Sequence, residues 1–230
     1  MALLLGCQSQ MYGRGSFVAE APTPVIRADV SVQISFFGIP LAGAQDVVFV
    51  LDHSGSMSGI AAGFAGEDVG MSKTTSTLVG IAGQLAGPKG HSKMEAAKAE
   101  LVHTLQAMPN GTRFMIIFFD DELAAFAPDM TTLDPYTRDA AINFVHGIKP
   151  GGSTAAVPAL RLAYKAGAAR VILLSDGLAN TGGGADDLLA EARGQIQRGV
   201  RFDTVGLGID QDSSLLNALA AESGGLAIKR

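Results

Sequence analysis

Two stretches constrain this chain more than any others: Val47-Val48-Phe49-Val50-Leu51-Asp52 and Val171-Ile172-Leu173-Leu174-Ser175-Asp176. Neither alternates apolar with polar residues, as a strand with one wet face would. A short, unbroken apolar run belongs to a strand covered on both sides, and such strands sit in parallel sheets between layers of helix. Both runs end on aspartate. In an open sheet of this kind, ligands bind beyond the C-terminal ends of the strands, where the strand order reverses. The pattern therefore fixes a class of fold and delivers two carboxylates to its functional edge.

The rest of the chain agrees. Asp46–Leu51, Arg113–Phe119, Val171–Leu174, Phe202–Leu207 and a short Leu226–Ile228 read as strands. Ser92–Met108, Tyr136–Ile148, Thr154–Ala166, Asp186–Arg198 and Asp212–Glu222 read as helices. The clearest is Ser92–Met108, with Met94, Ala97, Leu101 and Leu105 on one stripe and Ser92 with Glu95 as a capping box. Leu123–Ala127 is expected as a short antiparallel neighbour, reached through Asp120-Asp121-Glu122. The expected fold is α/β: a doubly wound, mostly parallel, Rossmann-like open sheet with helices on both faces and one short antiparallel edge strand.

Ahead of this core, Val30, Val32, Ile34 and Phe36 alternate with polar residues, which predicts an extra half-buried strand from Ala28 that Gly38 and Pro40 end. Residues 58–91 are rich in Gly, Ala, Ser and Thr and read as a long loop, with a short helix near Thr77–Leu85. The division expected is an N-terminal segment, 1–40, followed by one domain, 41–230.

Composition excludes several functions. The net charge is −5 and no Lys/Arg cluster or basic stripe occurs, so no nucleic-acid partner is expected. No run reaches the ~18 apolar residues of a membrane helix. The single cysteine, Cys7, forbids an intrachain disulfide. Leu4-Leu5-Gly6-Cys7 resembles a bacterial lipobox, which would make Cys7 a lipid anchor and place the protein in the cell envelope or periplasm. The five residues before Gly6 lack the charged, longer leader such a signal needs. A chance match, with a cytoplasmic protein, stands beside that reading.

Three segments carry the chemistry. Asp52-His53-Ser54-Gly55-Ser56-Met57 presents one carboxylate and two hydroxyls on a tight turn, Gly151-Gly152-Ser153-Thr154 brings hydroxyls to a helix start, and Leu174-Ser175-Asp176-Gly177 supplies a second carboxylate. Taken singly, each is an ordinary turn or cap, because Asp and Ser favour both. Together Asp52, Ser54, Ser56, Thr154 and Asp176 form an all-oxygen set that suits a hard divalent cation, with no His/Cys pattern of a zinc site. His53, His91, His103 and His146 share no spacing, the G-x-S-x-G elbow of a serine hydrolase is missing, and Asp120-Asp121-Glu122 reads as a solvated turn.

The turn Asp52–Met57 resembles the DxSxS signature of the von Willebrand factor A domain family, and the threonine and aspartate loops resemble the other two parts of that family's metal-ion-dependent adhesion site. The resemblance extends over about residues 45–230. It implies that Ser54, Ser56 and Thr154 bind Mg²⁺ (or Mn²⁺, with Ca²⁺ less favoured) directly, while Asp52 and Asp176 act largely through water. Thr154 rather than Ser153 takes the threonine role, from its six-residue step to Leu160. The implied function is protein binding, in adhesion or assembly, with an acidic side chain of the ligand completing the metal shell, and no catalysis. Two alternatives come with it: a partner for an ATPase in a chelatase- or chaperone-like complex, and a metal-assisted hydrolase. The chain departs from the family pattern in its long 58–91 loop and in ending at Arg230, where the family usually adds a helix. Either the domain is truncated or residues 1–40 fill that face.

Overall fold

A computed structural model of the chain describes residues 34–59, 92–177, 184–208 and 213–230. At its centre lies the strand anticipated from its apolar run, β3 (Val47–Asp52), buried at every position. The remaining elements are the strands β1 (Ser35–Phe36), β2 (Ile39–Pro40), β4 (Arg113–Phe119), β5 (Leu123–Ala125), β6 (Thr131–Thr132), β7 (Arg170–Ser175), β8 (Arg201–Gly206) and β9 (Ala227–Lys229), with helices α1 (Lys93–Ala107), α2 (Pro135–Gly147), α3 (Ala156–Lys165), α4 (Ala185–Ile196) and α5 (Ser213–Ser223).

The main sheet runs β5-β4-β3-β7-β8-β9, with β6 pairing on β4. β3 is parallel to both β4 and β7, β7 to β8, and β8 to β9. β5 and β6 are antiparallel to β4. After β3 the sheet grows one way to β4, and the chain later crosses back to lay β7 on the other flank of β3. The strand order therefore reverses between β3 and β7, the two strands that end at Asp52 and Ser175. The expected architecture is the one observed.

Alternation within the buried strands splits the core into two layers. Val47, Phe49 and Leu51 face a cluster with Met94, Ala97, Leu101 and Leu105 of α1 and Ala141 and Val145 of α2. Val48 and Val50 face the other side, with Ala159 and Leu160 of α3, Leu188 and Ala192 of α4, and Leu216 and Leu219 of α5. The capping box at Ser92 forms as read: the Ser92 side chain accepts from Glu95 N, and Glu95 accepts from Ser92 N.

Two expectations need correction. The extra strand ends at Phe36, just ahead of Gly38 as expected, but Pro40 does not end it and belongs to a returning strand. Phe37 and Gly38, both at positive φ, make a two-residue turn, and Pro40 pairs with Ser35 in a small hairpin. Positive φ at two central residues is the hairpin turn whose twist matches its strands. The turn at Phe37 is held by Glu100 Oε1, which accepts from Phe37 N at 2.6 Å, and by the Arg230 guanidinium, which donates to Phe37 O at 3.1 Å. Phe36, Phe37, Ile39 and Leu41 enter the α1-side core. The proposed start of that strand, residues 28–33, lies outside the described residues, as do Cys7 and the helix near Thr77–Leu85.

Helix α3 starts at Ala156 rather than Thr154. Ala155, at φ −115° and ψ 77°, is not helical, and its N donates to Asp120 O at 2.8 Å, fixing the loop ahead of the helix. Pro158 then falls in the first turn, where its missing N–H has no intrahelical partner to lose.

Candidate functional site

The C-terminal edge of the sheet is where β3 leaves its neighbours. His53 N donates to Phe119 O at 2.9 Å, extending the ladder one residue past the strand. Asp52 Oδ1 then accepts from Ser54 N at 2.8 Å, an Asx turn that swings the chain across the strand end. A single 3₁₀ turn, Gly55–Ser58, follows, anchored by the fully buried Met57. The motif thus folds by its own local hydrogen bonds, with one apolar residue pinning it to the core.

The hydroxyls converge. Ser54 Oγ and Ser56 Oγ lie 3.0 Å apart, and Ser56 Oγ donates to Asp176 Oδ1 at 2.8 Å. Residues 120 apart in sequence are joined because β3 and β7 are adjacent. Ser175, on the last position of β7, donates its Oγ to Asp52 Oδ2 at 2.8 Å. Asp52, Ser54, Thr154 and Asp176 are all buried, while Ser56 is exposed.

The threonine loop is fastened to this turn by two backbone bonds. Gly151 N donates to His53 O at 2.8 Å, and Gly55 N donates to Gly152 O at 3.1 Å. Gly152 has φ +58°, and a Cβ there would lie 1.7 Å from Asp121 Oδ1. Only glycine fits. On its far side the loop rests on the Asp120–Glu122 turn, where Ser153 N donates to Asp121 Oδ1 at 2.9 Å. The acidic turn is exposed at Asp121 and Glu122, as expected of a solvated turn, and also cradles the Gly-Gly-Ser-Thr segment. His53 Nδ1 sits 3.1 Å from Lys149 O and 3.6 Å from Asp120 Oδ2, tying the same three segments together.

Burial raises the Asp52 carboxyl above the usual aspartate range, and the charge of Asp176 pushes in the same direction. Hydrogen bonds from Ser54 and Ser175 oppose the shift. Asp176 has a cationic neighbour: Lys93 Nζ, on the first residue of α1, donates to Asp176 Oδ2 at 2.9 Å. Sequence reading missed Lys93 and Ser175. Ser175 was visible as the residue preceding Asp176, and Lys93 only as a cation at the first position of a helix.

All five predicted residues lie on the three segments that meet here. They offer two carboxylates and three hydroxyls, and an ammonium already occupies one carboxylate oxygen. The donor chemistry and that resident cation fit a hard divalent ion, held by hydroxyl and carboxylate oxygen.

Comparison with known proteins bears on the fold. Residues 81–228 match the family model of the von Willebrand factor type A domain. Among solved structures, the conserved hypothetical protein BatB from Bacteroides thetaiotaomicron is 17% identical with a TM-score of 0.56, covering 81% of this chain and 90% of that one. A von Willebrand factor type A protein from Catenulispora acidiphila is 22% identical with a TM-score of 0.58, and the match covers 81% of this chain and 39% of that one. Proximal thread matrix protein 1 from the mussel byssus, with a zinc-occupied MIDAS motif, is 17% identical with a TM-score of 0.52, covering 80% of this chain and 41% of that chain. No curated protein sequence matches significantly. Among the described residues no helix is long and apolar enough to cross a membrane. A parallel sheet reversing between β3 and β7, three polar segments at that reversal and a family match over residues 81–228 lead to one assignment: the chain belongs to the von Willebrand factor type A domain family.

Proposed function

We propose that the chain is a protein-binding module that works through a divalent cation, in the manner of a metal-ion-dependent adhesion site. Ser54, Ser56 and Thr154 would hold the ion through their hydroxyls. Asp52 and Asp176 would supply charge, largely by orienting bound water. The observation that carries this reading is the link from Ser54 Oγ through Ser56 Oγ to Asp176 Oδ1, which draws oxygen donors from β3 and β7 to one point at the sheet's switch. Mg²⁺ suits such a set first, Mn²⁺ next and Ca²⁺ less well, because small hard ions keep some water and take few protein oxygens.

Hydroxyl ligands leave the ion's positive charge largely uncancelled. An aspartate or glutamate from a protein ligand then completes the shell and supplies much of the affinity. The same capture chemistry serves adhesion and the assembly of complexes, including those driven by an ATPase. The protein itself performs no reaction in this reading. A lipid at Cys7 would place the site at a membrane surface without altering its chemistry.

A thermal melt tests the metal directly. Mg²⁺ or Mn²⁺ at a hundred times its dissociation constant stabilises the folded state by roughly 2.7 kcal/mol. For a domain of this size that raises the midpoint by about 5–10 °C over EDTA. The rise should vanish in Thr154→Ala. An equal rise in both proteins would move the ion elsewhere and end the proposal.

A further inference from the structure

Lys93 stands where helix physics disfavours it. It is the first residue of α1, at the positive end of the helix dipole, which favours acidic side chains. Its side chain is 11% exposed and that of its partner, Asp176, 1%. Taking an ammonium this far from water is unfavourable unless it is compensated. Compensation comes from the 2.9 Å bond to Asp176 Oδ2, on the same carboxylate whose other oxygen accepts from Ser56.

The surroundings hold the lysine in place. Its backbone N donates to Gly59 O at 2.9 Å, joining the start of α1 to the end of the Asp52–Ser58 turn. Its stem crosses Gly208, which follows β8. A Cβ at Gly208 would lie 2.8 Å from Lys93 Cε and 3.0 Å from Nζ. The backbone after β8 thus leaves room for the lysine to reach across the strand ends to Asp176.

We infer that Lys93 is a built-in monovalent cation that holds the site in its ion-free state and competes with the divalent ion for Asp176. This deepens the metal-site reading above and rests on it. The ammonium cancels one of the two carboxylate charges and repels a second cation by Coulomb's law. Loading the ion therefore requires Lys93 to release Asp176 Oδ2, and the site binds its ion more weakly than its oxygen set alone would.

The test is calorimetric titration of the full chain with Mn²⁺ alone, at fixed pH and ionic strength. Lys93→Gln should tighten Mn²⁺ binding by roughly tenfold. Lys93→Arg, which keeps the charge, should stay near wild type. Gly208→Ala provides a second route: its methyl crowds Lys93 Cε and Nζ and pushes the ammonium off Asp176, at a cost in backbone strain from φ +89° that lowers the melting midpoint, and should also tighten binding. Without metal, Lys93→Gln should melt below wild type, because Asp176 loses its countercharge, and Mn²⁺ should more than restore it.

Binding seen in Lys93→Gln but too weak to measure in wild type would be the strongest support. If wild type binds Mn²⁺, Thr154→Ala does not, and both Lys93→Gln and Gly208→Ala bind no tighter, then the competition is refuted and the metal site stands. If neither wild type nor Lys93→Gln binds Mn²⁺, or if Thr154→Ala leaves binding in the Lys93→Gln background unchanged, the metal-site reading fails and takes this inference with it.

Discussion

Two aspartates, Asp52 on β3 and Asp203 on β8, are each completely buried in the same sheet, and they are treated in opposite ways. Asp203 lies toward the start of its strand, where its carboxylate accepts from Arg170 Nε at 2.6 Å, from the Arg201 guanidinium at 3.0 Å and from Leu226 N at 2.8 Å. Its charge is answered within the fold. Asp52 lies at the other end of its strand and, among the described residues, accepts only from neutral donors, the Ser54 amide and the hydroxyls of Ser54 and Ser175. Among the described residues it makes no ion pair, and its carboxyl is pushed up by burial. A buried carboxylate that carries its own counter-ions is architecture. One held by neutral donors has, in the function proposed above, its charge answered from outside. The same residue type in the same sheet thus marks the structural end and the end proposed to be functional.

The largest break in this symmetry comes from removing Asp203. Asp203→Ala leaves Arg170, only 14% exposed, without its anion and strips Leu226 N of its acceptor. Removing one member of a buried pair costs about 3–5 kcal/mol. The midpoint should fall by roughly 10 °C with or without divalent ions. A loss that Mg²⁺ could rescue would mean that the two ends are not separate. The second effect concerns the donor to Asp52. Ser175→Ala takes away the 2.8 Å bond to Oδ2. Hydrogen bonds to charged groups contribute about 1.5–3 kcal/mol. The loss should be greatest in EDTA at neutral pH, read as a shift in the urea midpoint, and should shrink in acid as Asp52 takes up its proton.

The structural end and the proposed functional end differ also in how far sequence reveals them. β3, β4 and β7 are legible because burial on both faces suppresses alternation, and α1 because its cap and its stripe agree. The Asp52–Ser56 cluster is legible because its bonds are local, spanning two residues at a time. Asp176 follows from its place at a strand end. Lys93 is not legible, since its partner is 83 residues away and one lysine on a helix has no signature. Nor is Asp203, whose arginines reach it from two strands. The hairpin at Ser35–Pro40 and the β6 pairing escape for a different reason: two-residue strands are too short to show a period.

The subtlest prediction concerns the cost of ionising Asp52, and its sign is the informative part. A carboxyl whose pKa is higher in the folded than in the unfolded chain favours folding when protonated. Its contribution is fully present below the ordinary aspartate value of about 3.9 and is lost as pH rises through the folded value. Wild type in EDTA therefore carries an uncompensated cost at neutral pH. Asp52→Asn is nearly the same size and can still accept from Ser54 N, but it carries no charge. In EDTA at pH 7.5 the variant should be more stable than wild type, and the advantage should fade as pH is lowered toward 4. Saturating Mg²⁺ should reverse the order at pH 7.5, because only wild type gains from the ion. Urea midpoints for the two proteins at both pH values, with and without Mg²⁺, decide it. If Asp52→Asn were the less stable protein in EDTA at pH 7.5, the hydroxyl and amide donors would already suffice for the charge, and Asp52 would belong with Asp203 as architecture.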